Sequence, residues 1–288
     1  MLNETAKQEI KQEIGFDFSN AEVKPLSGGD INTVLLFSNN QTAFVVKINE
    51  VRRFPKMLEK EAHALAFLHQ NSPLRYPKVL AQFEDEIKQY LVLEYVKQTS
   101  GSKYASKQLG IKLAAQHQLT NSQFGWKENN YIGSLKQPNT WKEVWEDFYA
   151  SERLLYQTKL AFDAGLVDHE FILQMNRFCS RLSELFPKEP PALLHGDLWG
   201  GNYFITDGNV PFLYDPAVYF GHREMDLGMT KLFGGFDTAF YDYYQNQYPL
   251  EKGWKNRIPF SQLYPNLVHL NLFGRSYLNA VISVIKYF

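Results

Sequence analysis

The sequence lacks several features that would place a protein in a large functional class. Its 288 residues include a single cysteine, Cys179, so no intramolecular disulfide can form and a reducing compartment is expected. No CxxC or HExxH motif is present. No uninterrupted apolar stretch reaches the roughly 18 residues that a membrane span needs, and the polar first 15 residues lack the apolar core of a signal peptide. We therefore expect a soluble cytoplasmic protein with no membrane partner.

An excess of charge of either sign is also missing. The formal net charge is -1, so no broad basic surface is expected and no nucleic acid partner is predicted. The chain shows no repeat with a period of 20 to 50 residues and no stretch of low complexity. Its length allows one large domain or two, and either can bury a substantial core.

The most informative stretch that is present runs from Leu193 to Asp226, LLHGDLWGGNYFITDGNVPFLYDPAVYFGHREMD. Within it, His195-Gly196-Asp197-Leu198 and Asn202 have the order and spacing of the protein-kinase catalytic loop, H-x-D-L-x-x-x-N, with Gly196 where arginine is usual. Asp197 is placed to accept a proton from an attacking hydroxyl, which predicts a catalytic base. For His195 we favour a structural hydrogen-bonding role.

Two apolar runs around Asp207-Gly208 predict a tight hairpin that ends on Asp215. A two-residue loop at Asp207-Gly208 places Asp215 opposite Gly200, and a loop shifted by one residue places it opposite Asn202. In either register Asn202 and Asp215 lie within about 8 Å of each other. Magnesium prefers such hard oxygen ligands, which predicts a metal site. The alternative is that these residues cap turns and hairpin ends.

The N-terminal part favours a helix over residues 4 to 14, closed by Gly15, followed by strands within 23–37 and 42–48. The turn Ser27-Gly28-Gly29 between the strands lies over a nucleotide or is an ordinary turn. The strand that carries Lys47, AFVVKI, is similar to the V-A-I-K strand of kinases. Alone, Lys47 could simply face solvent.

A partner acid for Lys47 is available in the helix that starts near Pro55. Glu61 shares the inward apolar stripe of this helix, whereas Glu59 falls outside it. Because an unpaired buried carboxylate is costly, we predict an ion pair between Lys47 and Glu61. In kinases such a pair directs the ammonium at the nucleotide phosphates.

The stretch QYLVLEYV, residues 89–96, reads as a buried strand and is followed by the polar segment KQTSGSK. We predict a lobe boundary here, with a nucleotide-binding lobe over residues 1–96 and a catalytic and substrate-binding lobe over 97–288. The backbone of Glu94, Tyr95 and Val96 would then face the adenine. The fold class is α+β, with a small β-rich N-terminal lobe and a larger, mainly α-helical C-terminal lobe.

Beyond residue 97 the apolar pattern becomes helical, with helices predicted near 109–117, 141–155, 166–186 and 261–285. His117 reads as a hydrogen-bonded packing residue. Asp226 is placed to cap a helix and to anchor a loop, which we prefer to catalysis. His222 and Glu224 in the preceding turn either contact substrate or brace the site.

The chain resembles the fructosamine (ketosamine) kinases, a branch of the protein-kinase-like fold that includes aminoglycoside phosphotransferases and choline kinases. The resemblance covers most of the chain. It rests on LLHGDLWGGN, YDPAVYFGHREMDLGM and FGGF, and also on SGGDIN, FVVKIN and FGWKENNYIGSLKQPNTW. One departure is Gly200, where many members carry serine, which puts the stiffness of this loop or an acceptor contact in question.

The resemblance implies an ATP- and magnesium-dependent two-lobe kinase that phosphorylates the 3-hydroxyl of ketosamines, either free or attached to protein lysines, and so leads to deglycation. It implies that Asp197 is the base, that Asn202 and Asp215 hold magnesium, that Lys47 and Glu61 grip ATP, and that Trp199 lies beside the acceptor. The alternatives are a kinase of aminoglycosides, choline or another small alcohol, and a non-catalytic nucleotide-binding protein.

Overall fold

The computed structural model describes residues 2–26, 31–100 and 103–288. The chain divides into two compact units. The first contains residues 1–105 and 203–215, and the second contains residues 106–202 and 216–288. The first unit is therefore completed by a short segment from much later in the sequence.

The α-helices are α1 Glu4–Ile14, α2 Met57–Asn71, α3 Lys103–His117, α4 Trp145–Phe148, α5 Tyr156–Asp163, α6 His169–Cys179, α7 Glu224–Met229, α8 Thr238–Gln247, α9 Trp254–Ser261, α10 Leu263–Phe273 and α11 Leu278–Ile285. The strands are β1 Glu22–Pro25, β2 Thr33–Ser38, β3 Ala43–Glu50, β4 Val79–Glu84, β5 Lys88–Glu94, β6 Asn130–Ile132, β7 Leu135–Gln137, β8 Ala192–Leu194, β9 Tyr203–Thr206, β10 Val210–Leu213 and β11 Tyr219–Gly221. A π-helical segment, Tyr149–Leu155, joins α4 to α5.

The first unit is built on a five-stranded antiparallel sheet with the strand order β1-β2-β3-β5-β4. Helix α1 contributes its buried stripe, including Ile10, to a core with Phe44, Val46 and Ile48 of β3. The predicted limits of α1 are confirmed, because the Asn3 side chain caps its start and Gly15 ends it in a left-handed conformation. Since side chains alternate along a strand, Lys47 of β3 points away from this core.

The hairpin of β9 and β10 belongs to the first unit. The backbone N–H of Thr99 donates to the carbonyl of Ile205 over 2.7 Å, and that of Leu213 donates to the carbonyl of Arg75 over 2.9 Å. Thr206 pairs with Val210, so the loop is the three-residue segment Asp207–Asn209. Both predicted registers are therefore wrong, since each assumed a two-residue loop.

The second unit is mainly α-helical, as predicted, with two short antiparallel ribbons, β6–β7 and β8–β11. The aromatic helix predicted from residue 141 begins only at Trp145. Trp141 and Val144 precede it and are partly exposed, at 36% and 45%. The strand predicted to reach Val96 ends at Glu94.

In the described parts of the chain, every helix is too short or too polar to cross a membrane. The predicted boundary at residue 96 separates a nucleotide-binding lobe from a catalytic lobe. It stays a prediction, because the two compact units do not show where nucleotide and acceptor bind.

Candidate active site

Lys47 lies in the middle of the first unit's sheet, because β3 pairs with β2 on one side and with β5 on the other. Its Nζ donates to Oε1 of Glu61 over 2.5 Å and also pairs with the carboxylate of Asp215. The predicted ion pair with Glu61 is therefore present. Glu59 instead lies near Lys56 at the surface, so the choice between the two acids was correct. The three side chains form a charged cluster inside the first unit.

The balance of charge in this cluster shifts the pKa values of its members. Burial by itself lowers the pKa of Lys47, but the carboxylates of Asp215 and Glu61 outweigh it and the net pKa is raised. Burial raises the pKa of Glu61, and the Lys47 ammonium only partly opposes that change. Lys47 therefore stays protonated near neutral pH. Its ammonium lies on the face of the sheet opposite the core that contains Val46 and Ile48.

Gln89 of β5 fixes the helix that carries Glu61, a role the sequence analysis missed. This side chain is fully buried, accepts the N–H of Leu58 in the first turn of α2 over 2.8 Å, and donates to the carbonyl of Phe54 over 2.5 Å. The residue before α2, Lys56, provides no side-chain cap. Gln89 thus satisfies one of the helix-start donors from a neighbouring strand.

Asp215 ends the hairpin in an unusual backbone conformation. Its φ is 54°, in the left-handed region that residues other than glycine seldom occupy. Such strain persists only where surrounding contacts enforce it, and it is common at functional sites. Here the hairpin's bonds to Thr99 and Arg75 and the pairing with Lys47 hold the residue in place.

The loop from His195 to Asn202 follows β8 in the second unit. Gly196 has a φ of 84°, and a Cβ at this position would collide with the carbonyl oxygen of Ala217. This contact explains why the position holds glycine. The Nδ2 of Asn202 donates to the Asp197 carboxylate over 2.9 Å and to the Asp197 carbonyl over 2.8 Å. The Asn202 amide is thereby oriented, with its oxygen as the atom that can bind a cation.

Asp226 anchors this loop through its backbone. Its carboxylate accepts the N–H of His195 over 2.8 Å and the N–H of Gly196 over 2.9 Å. The Nε2 of His117 lies 3.2 Å from the same carboxylate, and the His117 Nδ1 lies 2.8 Å from the Tyr244 hydroxyl. Burial alone raises the pKa of Asp226, but the hydrogen bond and charge of His117 reverse this and the net pKa is lowered.

Asp226 therefore confirms the anchoring role predicted for it. The capping role is wrong, because Asp226 lies within α7 and not before it. His117 is the buried, hydrogen-bonded residue that the sequence predicted.

Trp199 is partly exposed next to Asp197, at 37%, and its ring meets the edge of the Phe233 ring at 5.7 Å. A Cβ at Gly201 would collide with the Trp199 ring, whereas one at Gly200 would meet nothing within 4 Å. Serine at position 200 would therefore fit. A side chain at position 201 would have to displace the Trp199 ring, whereas one at position 200 displaces nothing.

A narrow cavity of about 20 Å³ reaches Asp197 from within the second unit. Its wall is mostly apolar and includes Ile132, Met229, Tyr264 and Val268. A cavity of this size has room for about one water molecule, so it touches the Asp197 carboxylate and is too small for a sugar.

His222 and Glu224 are both fully buried. The Arg257 guanidinium holds the Glu224 carboxylate with three bonds of 2.5 to 3.1 Å. The His222 Nε2 lies 3.2 Å from the carbonyl of Pro187, and burial lowers the pKa of His222. These placements favour the bracing role over contact with a substrate.

The other residues predicted to contact the nucleotide are those of the turn at 27–29 and of the segment 94–96. Ser27, Gly28 and Gly29 lie outside the described residues. Glu94 ends β5, and Tyr95 beyond it is 38% exposed. Among the described residues no group of three or more His, Cys, Asp or Glu side chains is arranged to hold a metal ion.

Comparison with known proteins identifies the family. The family model for fructosamine kinase matches residues 1–288. The chain belongs to the fructosamine kinase family. A probable ketoamine kinase of Enterococcus faecium is 38% identical over 93% of this kinase and 96% of its own length. The chloroplastic protein-ribulosamine 3-kinase of Arabidopsis thaliana is 35% identical over 92% of this chain and 81% of its own length.

Solved structures agree with the fold prediction. A Thermobifida fusca protein described as a candidate fructosamine-3-kinase superposes with a TM-score of 0.88 at 29% identity, covering 99% of this kinase and 98% of that chain. The aminoglycoside phosphotransferase APH(4)-Ia, at 16% identity and a TM-score of 0.64 over 98% and 97% of the two chains, shares the fold alone. The predicted protein-kinase-like fold is confirmed.

Proposed function

We propose that this kinase transfers the γ-phosphoryl group of ATP to the 3-hydroxyl of a ketosamine, either a free metabolite or a sugar carried by a protein lysine. The observation that carries the proposal is the loop of the second unit that Asp226 anchors, which holds the Asp197 carboxylate close to the exposed indole of Trp199. Phosphoryl transfer needs positioning and charge neutralisation more than covalent help from the protein. Family membership supplies the acceptor class.

Lys47 and Glu61 are proposed to hold the nucleotide phosphates. A buried, permanently charged ammonium fixed by Glu61 suits the α- and β-phosphates. The turn Ser27-Gly28-Gly29 would cover the phosphates, and the backbone from Glu94 through Tyr95 to Val96 would meet the adenine.

Asn202 and Asp215 are proposed to bind magnesium. Both offer hard oxygen atoms, and an ion of this kind takes few protein ligands and completes its shell with phosphates and water. In that state Asp215 would exchange its present ammonium partner for the ion. When bound, magnesium neutralises charge on the transferring phosphoryl group.

Asp197 is proposed to accept the proton of the sugar 3-hydroxyl as its oxygen attacks phosphorus. The Asn202 amide orients the carboxylate and Asp226 fixes the loop backbone behind it. The exposed face of Trp199 suits the C–H face of a sugar. We assign His222 and Glu224 to bracing of this region.

The product's own chemistry completes the repair. Enolisation toward C1 makes the C3 phosphate an allylic leaving group, its departure as inorganic phosphate leaves an imine of a deoxy sugar, and hydrolysis of that imine releases the amine. The proposed role is therefore deglycation, in the cytoplasm, with ketosamines or glycated proteins as partners.

The decisive experiment incubates the purified kinase with ATP, magnesium and synthetic ribulose-, erythrulose- and fructose-type ketoamines, and locates the phosphate by NMR. We expect phosphorylation at O3. Aminoglycosides and choline serve as competing acceptors, and a preference for either would overturn the proposal. Asp197→Asn should lower kcat by about 100-fold or more while ATP binding is kept.

A further inference from the structure

Three buried amide side chains lie side by side in the second unit. Asn130 and Gln137 come from the β6–β7 ribbon, and Asn139 follows it. The Oδ1 of Asn130 accepts from Gln137 Nε2 and from Asn139 Nδ2, each over 2.8 Å. All three are at most 6% exposed. Buried polar groups of this kind are fully bonded or costly, so their partners define the arrangement.

The network begins at Arg153, a fully buried residue of the π-helical segment. Its guanidinium donates to the carbonyl of Pro138 over 2.5 Å and to Oδ1 of Asn139 over 2.7 Å. It also lies over the rings of Tyr219 and Tyr264, at 4.1 and 5.2 Å from their centroids. Its hydrogen bonds in the described part of the chain go to two backbone carbonyls and to an amide oxygen, and none goes to a carboxylate. A buried cation without an acid partner is expensive for stability, which indicates another use.

Arg153 sets the direction of every bond in the network. An arginine can only donate, so Asn139 must present its oxygen to Arg153 and turn its NH₂ toward Asn130. Asn130 must then present its own oxygen, which sends its NH₂ to the carbonyl of Val218 over 2.9 Å. An amide can otherwise be rotated with little change in shape, and one obligatory donor removes that freedom.

The network ends on the backbone behind the catalytic loop. Gln137 Nε2 donates to the carbonyl of Ala217 over 3.1 Å, and the Tyr264 hydroxyl donates to Gln137 Oε1 over 2.7 Å. Ala217 in turn donates its N–H to the carbonyl of His195 over 2.9 Å. The same Ala217 carbonyl is the atom that Gly196 packs against.

Tyr264 links the network to the cavity beside Asp197. Burial raises the pKa of Tyr264, so its hydroxyl stays a donor toward Gln137. Its ring, together with that of Tyr219, lines the cavity that reaches Asp197. Arg153 therefore lies beneath two of the rings that form this cavity.

We propose that Arg153 is a positioning residue, which acts through the amides of Asn139, Asn130 and Gln137 to fix the wall of the small cavity beside Asp197 and the backbone against which the Asp197 loop rests. The proposal rests on the function proposed above, because that function makes Asp197 the catalytic base. It assigns a use to the π-helical segment and to the NYIGSLKQPN stretch, both of which the reaction itself leaves unassigned.

The test breaks one link without removing a side chain. In Asn139→Asp the new carboxylate still accepts from Arg153, and even forms an ion pair, but it cannot donate to Asn130. A role in stability alone predicts a lower melting temperature, because the new carboxylate faces the acceptor oxygen of Asn130, with unchanged kcat. The positioning role predicts a folded protein whose kcat falls by about 10- to 100-fold, with the KM for ATP within about twofold of the wild type.

Three further variants accompany this one. Arg153→Met removes the donor and should show the same loss, whereas Arg153→Lys keeps a donor and should recover part of it. Gln137→Glu repeats the test at the next link, because the carboxylate cannot donate to Ala217. Arg177→Met is the matched control, since Arg177 is exposed and its ion pair among the described residues is with Glu170 at the surface.

Hydrogen exchange measured by mass spectrometry supplies a readout that needs no acceptor. Peptides covering 193–202 and 216–219 should exchange faster in Asn139→Asp and Gln137→Glu than in the wild type or Arg177→Met. A folded variant with a broken link, wild-type kcat and wild-type exchange would overturn the proposal. A wild-type protein that leaves every ketoamine untouched would instead refute the proposed function, and the exchange data would still decide the role of Arg153.

Discussion

At the scale of single residues, the catalytic loop has one glycine that no other residue can replace without a clash and one that a residue with a side chain can replace. Gly196 stands where protein kinases carry arginine, and its close contact with Ala217 leaves no room for a side chain. Gly200, the departure from the family pattern, borders open space. The backbone therefore demands glycine at the first position only.

Gly196→Ala should lower kcat by at least about 100-fold, because relief of the clash with Ala217 must displace the Asp197 loop. Gly200→Ser is the matched comparison in the same loop and should keep kcat within about twofold. Steady-state kinetics of both variants, with circular dichroism to verify folding, checks the contrast. Equal effects of the two substitutions would contradict it.

Lys47→Met should abolish nucleotide turnover and also lower stability. The substitution leaves the Glu61 and Asp215 carboxylates together without their cation, and removal of one member of a buried pair costs about 3 kcal/mol. Chemical denaturation should show this loss at neutral pH. Adding Glu61→Gln to Lys47→Met should restore part of the stability and none of the activity. Full stability in Lys47→Met alone would show that the cluster is not a stabilising one.

The sequence predicted those site residues that stand in a recognisable local pattern. Asp197 stands in a recognisable motif, and Glu61 was distinguishable from Glu59 by helical spacing alone. Gln89 was not predictable, because its partners are backbone atoms brought near it by the fold. The role of Arg153 was missed for a similar reason, since no local sequence pattern predicts a π-helical turn.

At the scale of elements, helix α7 holds the loop after β8 in place. The carboxylate of Asp226 in α7 satisfies two successive backbone N–H groups of the loop. The sequence indicated an anchor at this position but placed it at the start of a helix, because capping is the commoner reason for an aspartate there. The β9–β10 hairpin was predicted correctly, but the length of its loop was not. Its loop spans the three residues Asp207–Asn209, with positive φ at Gly208 and Asn209, where two residues were predicted.

Asp226→Asn should destabilise the protein by about 2 kcal/mol at pH 7, because an amide can accept only through its single oxygen. The pKa of Asp226 is lowered on folding from 3.8, so its contribution is present above pH 3.8 and is lost as the pH falls through the lower folded value. The difference from the wild type should therefore be constant near neutrality and shrink below pH 3.8. Denaturation series between pH 2 and pH 7 measure it.

Asp163→Asn is the control for that series, since the ion pair that Asp163 forms within the described part of the chain is an exposed one with Lys159. Its effect should stay below about 0.5 kcal/mol at every pH. A constant deficit of Asp226→Asn down to pH 2 would contradict the assigned direction of the pKa shift.

At the scale of the whole molecule, the sequence predicted the fold class and the family, because the motifs span most of the chain. It did not predict that the first compact unit draws a hairpin from residues 203–215. Local patterns report local structure, and this association depends on backbone bonds between segments more than 100 residues apart.

ATP should stabilise the whole protein, and magnesium should increase the effect. A ligand at about 100 times its Kd adds about 2.7 kcal/mol, which corresponds to a rise in Tm of about 4–8 °C for a chain of this size. Thermal-shift measurements with ATP, with and without magnesium, give the two values. Lys47→Met should show neither rise. No response of the wild type would favour a scaffold without nucleotide.

The discontinuity of the first unit also has a consequence during translation. A ribosome that has completed residue 105 must still add all of residues 106–202 before the hairpin that joins Thr99 and Arg75 can emerge. At about 5–20 residues per second this interval lasts for several seconds. For that time the nascent chain carries a sheet unit without the backbone bonds that Ile205 and Leu213 supply, and chaperones that bind incompletely folded chains should be recruited at this stage of synthesis.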